Sequence, residues 1–168
     1  IGVSKTLENL GMAGYNDELY AVFGKSKSSK VRAALLSALG ALKFDKIETA
    51  MKVGMSDKNQ VVREAAVGLL SRLEISKESL PAIVDPIFRN SSVGEQQKML
   101  GVLAEMPIEK SENVLQGLIQ KAGNNRFPEG AILDLIEAVE ASGSENLIAQ
   151  LQKIKKSDQT AEGYKETL

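Results

Sequence analysis

A hexapeptide that returns after roughly one helical hairpin constrains this chain more than any other feature. Val31-Arg32-Ala33-Ala34-Leu35-Leu36 comes back as Val62-Arg63-Glu64-Ala65-Ala66-Val67, 31 positions later. Ser111-Glu112-Asn113-Val114-Leu115 comes back as Ser144-Glu145-Asn146-Leu147-Ile148, 33 positions later. Self-similarity at a period of about 33 residues marks stacked supersecondary units, none of which can bury its apolar face alone.

Within each unit the apolar spacing is helical. Val31, Leu35, Ala38 and Leu42 share one face, as do Val62, Ala66, Leu69 and Leu73. Leu36 and Leu39 add a second strip, matched by Val67 and Leu70. A helix with two apolar strips has to be covered on two sides, so these are the inner helices of their hairpins. Steps of 33 from Val67 and Leu70 reach Leu100 and Leu103, then Leu133 and Ile136. Leu36, Val67, Leu100 and Leu133 are therefore expected to line one continuous buried row. Partner helices with narrower apolar faces are expected over 17–25, 46–55, 80–90, 112–122 and 145–155. An unpartnered inner helix is expected over 3–12. Asn16, Asp45, Ser111 and Ser144 stand where N-caps are needed. Pro81 suits a first turn, whereas Pro86 should kink or split its helix.

Composition removes whole classes of chemistry. The 168 residues contain no Cys and no His, so thiolate nucleophiles, disulfides, imidazole ligands and haem attachment are excluded for this chain. The formal net charge is -1, without the basic excess of a nucleic-acid binder. No apolar run is long enough for a membrane span, so no membrane insertion is expected. The start Ile1-Gly2-Val3, without an initiator Met, is expected of a piece of a larger polypeptide. Residues 1–156 are read as one repeat domain and 157–168 as a polar linker or tail.

The stretch Asp57-Lys58-Asn59-Gln60-Val61-Val62-Arg63-Glu64-Ala65-Ala66 resembles a HEAT repeat, with a turn Asp followed by Val-Arg in the inner helix. Lys30-Val31-Arg32-Ala33-Ala34-Leu35 repeats the helical half, with Ser26 in place of the Asp; Gln96 and Glu129 replace the Arg further on. The resemblance, which extends to armadillo-type repeats, implies an all-α fold, a right-handed α-α superhelix (solenoid) of about four to five helical hairpins. It also implies a structural ladder in which Arg32 and Arg63 bond Asp57 or backbone carbonyls between neighbouring units. The segment is similar, further, to the helical-repeat region of large bacterial membrane-bound or sorbosone-type dehydrogenases, between a propeller and a cytochrome c module. That setting implies a periplasmic or cell-envelope location; without it, the cytoplasm is the expectation. The haem-binding Cys-x-x-Cys-His is absent from this chain, so no haem function is carried over.

Short motifs add little. Gly24-Lys25-Ser26 ends like a phosphate-binding loop, but position 19 is Leu where that motif needs Gly. Asn90-Ser91-Ser92 matches a sequon and reads equally as a polar turn. Charge placement is more informative. The turns inside hairpins carry Lys25, Lys27, Lys30, Lys58, Arg89, Lys121 and Arg126. The turns between hairpins carry Glu74, Glu78, Glu109, Glu112, Glu140 and Glu145. Stacking would place the two sets on opposite edges, one basic and one acidic. The expected function is a noncatalytic scaffold or protein-interaction segment with no cofactor and no metal, binding flanking domains or another chain. The alternative is a nucleic-acid-binding helical module, which would need aromatics for stacking. Tyr15, Tyr20, Phe23, Phe44, Phe88 and Phe127 are too scattered along the chain to supply them.

Overall fold

The computed structural model describes residues 12–154, all of whose regular elements are helical. A 3-10 turn (Met12–Tyr15) leads into α1 (Asn16–Lys25), α2 (Ser29–Ala41), α3 (Ile47–Met55), α4 (Gln60–Leu70) and α5 (Leu80–Asn90). Then come α6 (Val93–Glu105), α7 (Ile108–Gly123), a 3-10 turn (Glu129–Ala131) and α8 (Ile132–Ala141). A last helix, α9, runs over 145–154. The helix expected over 3–12 and the tail expected over 157–168 lie outside the described residues. Contacts divide the chain into two compact units, one ending at Ser91 and the next beginning at Ser92.

In the first unit the hairpins pack in two rows. α1 lies on α2 and α3 on α4, while α2 packs on α4 and α3 on α5. The core between the rows is Leu36 and Leu39 of α2, Met51 and Met55 of α3, Val62, Ala66 and Leu70 of α4, and Ile83 and Ile87 of α5, all at most 3% exposed. Each such aliphatic side chain contributes roughly 1.5–3 kcal/mol of burial. Ser28 and Asn59 start the inner helices by accepting from the Val31 and Val61 N–H groups at 3.4 and 3.1 Å. The end of α2 is a left-handed turn at Lys43 (φ 53), where Phe44 N–H donates to the Leu39 carbonyl at 3.0 Å and Lys43 N–H to Gly40 at 3.2 Å.

Two glycines set how closely these helices approach. A Cβ on Gly40 would stand 2.7 Å from Leu69 Cδ2. One on Gly54 would stand 2.5 Å from Leu36 Cδ2 and 3.1 Å from the Ala66 Cβ. Gly54 thus lets α3 sit against both α2 and α4 at once.

The second unit is built on α6 and α8, which pack together, with α7 contacting both. Its core includes Met99, Leu100, Leu103, Leu115, Leu135 and Val139, none of them measurably exposed.

Several expectations need correction. Val31 is 43% exposed and Leu133 is 70% exposed, so neither belongs to a buried row. Leu36 and Leu100 are fully buried and Val67 is half-buried. In α8 the buried residues are Leu135, Ala138 and Val139. Leu135 and Val139 lie 33 positions after Val102 and Met106, as the period predicts, but those two are only half-buried; the fully buried Met99 and Leu103 precede them by 36. α7 begins at Ile108 after Pro107, so Ser111 is a buried interior residue and not a cap. Asn16 is the first residue of α1, the cap position falling to Tyr15, and its buried Oδ1 accepts no hydrogen bond from a described residue. Asp45 accepts from Lys46 N–H at 3.0 Å, just outside α3, while Ser144 does cap, accepting from Leu147 N–H at 3.4 Å. Pro86 lies inside α5 without splitting it. Its missing N–H releases the carbonyl of Ala82, an exposed residue, and five buried side chains hold both halves of the helix to the core.

Candidate interaction edge

The connections over 26–28 and 56–59 emerge at one end of the first unit, where α1 and α3 finish and α2 and α4 begin. Arg32 ties them together. Its Nε donates to Asp57 Oδ2 at 2.7 Å and its Nη2 to Asp57 Oδ1 at 2.8 Å, a two-pronged pair. Its Nη1 donates to the Ser26 carbonyl at 2.9 Å. Asp57 Oδ1 also accepts from Asn59 N–H at 2.8 Å, which shapes the turn into α4. Arg63 Nη1 donates to the Asp57 carbonyl at 2.8 Å, six residues back, as Arg32 does to Ser26. The two side chains of the pair are 11% and 10% exposed. Hydrogen bonding from Arg32 holds the Asp57 carboxyl below its ordinary value, and the same bond raises the Arg32 guanidinium.

Beside this pair lies an open cleft of about 300 Å³ lined by Phe23, Gly24, Ser26, Arg32, Val53, Asp57 and Lys58. Its carboxylate stays ionised near neutrality, with both oxygens engaged, and is therefore poorly suited to general-base work. Its Ser26 hydroxyl is within weak hydrogen-bond range of the Ser28 backbone.

Lys58 lines this cleft, and Lys25, Lys27 and Lys30 are exposed along the α1–α2 connection and its flanking turns; none of the four forms an ion pair with a described residue. The first turns of α2 and α4 contain no acidic residue to offset them. Helix dipoles do not make this edge positive: the amino ends of α2 and α4 meet the carboxyl ends of α1, α3 and α5 there. The lysines alone make it positive. Arg89 ends α5, but Asp85 offsets its charge at 2.6 Å. Lys121 and Arg126 belong to the second unit, where Arg126 N–H donates to the Lys121 carbonyl at 2.8 Å. Lys52 and Val53, in the last turn of α3, are absent from the sequence-derived set yet exposed at this edge. Only a lysine one residue before a solvent-facing valine could have signalled them.

The other end of the first unit is of mixed sign rather than acidic. Exposed Glu74 and Glu78 share it with Lys43, Arg72 and Lys77. Lys46 Nζ meets Asp17 Oδ1 at 2.9 Å. Glu48 accepts from Ser76 N–H at 2.8 Å and from its hydroxyl at 3.3 Å. The Ser76 backbone bond first, then the hydroxyls of Ser79 and Ser76, hold the Glu48 carboxyl below its ordinary value.

Among the described residues no group of three or more carboxylates is placed to hold a metal ion, and no helix is long and apolar enough to cross a membrane. No protein-family model, no curated protein and no solved structure matches the chain.

Proposed function

We propose that this chain is a noncatalytic, HEAT-like helical-repeat segment that meets a protein partner through the lysine-bearing edge of its first unit. Four exposed lysines that form no ion pair with a described residue, beside a cleft whose one carboxylate is taken up by Arg32, are the observation that carries this reading. The Arg32–Asp57 pair supports it, because it joins two successive connections and holds that edge in one shape. The helical-hairpin part of the proposal rests on the repeated rows α2–α4 and α3–α5 and on the repeated arginine-to-carbonyl bonds. A larger bacterial dehydrogenase as the parent is proposed on the sequence resemblance alone.

A protein partner is favoured over nucleic acid because the edge offers no stacking platform. Phe23, the aromatic residue of the cleft, is 1% exposed, and single-strand binders need open aromatic faces. The test is a titration of the full chain with polyglutamate and with short DNA at low salt. Polyglutamate should bind, salt should weaken it, and Lys25→Glu with Lys27→Glu and Lys30→Glu should abolish it. Tighter binding of DNA than of polyglutamate would overturn the reading in favour of the nucleic-acid alternative.

A further inference from the structure

The lysine edge is also unusually aliphatic. Val22, Val31, Val53 and Val61 are 50%, 43%, 44% and 48% exposed. All four lie within about one helical turn of the connections over 26–28 and 56–59. They make up four of the seven large apolar residues exposed among the described ones. Of the remaining three, Tyr15 precedes the opposite end of α1, and Val93 and Leu133 belong to the second unit. Scattered surface valines are ordinary, whereas valines gathered at the same end as unpaired lysines and a cleft are not.

Val53 lines the cleft directly, together with the buried Phe23 and the exposed Lys58. The cleft thus has an aliphatic wall, and its own carboxylate is neutralised by Arg32. We infer that this edge receives an acidic polypeptide segment with aliphatic side chains, whose carboxylates meet Lys25, Lys27, Lys30 and Lys58 while one aliphatic group enters the cleft against Val53. The inference rests on the protein-interaction reading above and adds the partner's chemistry. Polyanions without aliphatic side chains would use the lysines and leave the valines in water. An occupant with both features uses the whole edge, drawing its rate of encounter from charge and its retention from apolar burial.

The test uses the full chain and two synthetic peptides of about a dozen residues with equal negative charge. One carries Leu between its glutamates; the other has Ser at those positions. The Leu peptide should bind about tenfold more tightly, the worth of burying one aliphatic side chain in part. Salt should weaken both. Val53→Ser should remove the preference for Leu and leave the Ser peptide unchanged, while Lys27→Glu with Lys58→Glu should weaken both. All three positions are exposed, and an unchanged circular dichroism spectrum would show that the variants fold. Equal affinity for the two peptides would overturn the inference and leave the lysine edge standing. Binding of neither would overturn both. A Leu preference that survives Val53→Ser would place the contact elsewhere and overturn the inference.

Discussion

Arg32 and Asp57, 25 positions apart in sequence, face each other through two parallel hydrogen bonds of 2.7 and 2.8 Å. Arg32 also reaches the Ser26 carbonyl and Asp57 the Asn59 amide, so one ion pair organises two connections. Removing either partner leaves the other largely covered and without its counter-charge. Arg32→Ala and Asp57→Ala should each lower the thermal midpoint by several degrees. The double variant should lose little more than the worse single one, because the two act as a unit. Additive losses in a thermal-denaturation cycle would show that the pair is not coupled.

Acid should weaken the first unit through two carboxylates. Asp57 and Glu48 both have folded values below their ordinary 3.8 and 4.5. A depressed folded value means stabilisation that is fully present above the unfolded value and is lost as pH falls through the folded one. Urea midpoints should therefore hold steady from neutrality to near those ordinary values and decline below them. Asp57→Asn and Glu48→Gln should each make that acid limb shallower. A limb of unchanged slope in both would remove these groups as its source.

Gly54 and Gly68 make a matched pair of tests. Gly54→Ala places a methyl between Leu36 and Ala66, both fully buried, and should destabilise by about 1–3 kcal/mol. A Cβ on Gly68 would meet nothing within 4 Å. Gly68→Ala should therefore stabilise α4 by about 0.5–1 kcal/mol through the backbone entropy that glycine loses in a helix. Equilibrium urea denaturation reads both, and a Gly54→Ala variant as stable as the parent would contradict the close approach of α3.

The register of α8 can be checked in the same way. Leu135→Ala should cost about 2–5 kcal/mol, because Leu135 is fully buried. Leu133→Ala should stay within about 0.5 kcal/mol of the parent, because Leu133 faces solvent. The reverse order would restore the row in which Leu133 follows Leu100.

That row shows why part of the fold was legible and part was not. Helix type and approximate place follow from apolar spacing, and α1, α3 and α5 begin and end within a residue of where spacing puts them. Facing is harder to read. An apolar helix face nearly recurs after three or four residues, so a step of 33 and one of 36 both land on apolar positions. The longer α7 and the 3-10 turn before α8 add the extra residues, and neither has an apolar signature of its own. A similar slip occurs in the first unit. The caps Ser28 and Asn59 are 31 positions apart, while the buried pairs Leu36 with Ala66 and Leu39 with Leu69 are 30 apart. The lysines of the candidate edge were visible because turns are polar and easily located. Val53 was not, since an exposed valine in a helix reads as core until its neighbours are known.

The opposed directions of paired helices have a further consequence for how such a surface changes. Because amino and carboxyl ends alternate around the rim, the backbone imposes no polarity on what docks there. Solvent-facing lysines decide it, and none of them supports the interior. Exchanging those lysines for glutamates would reverse the charge of this edge while the framework underneath kept its shape, so surface chemistry and architecture can change on this chain almost independently.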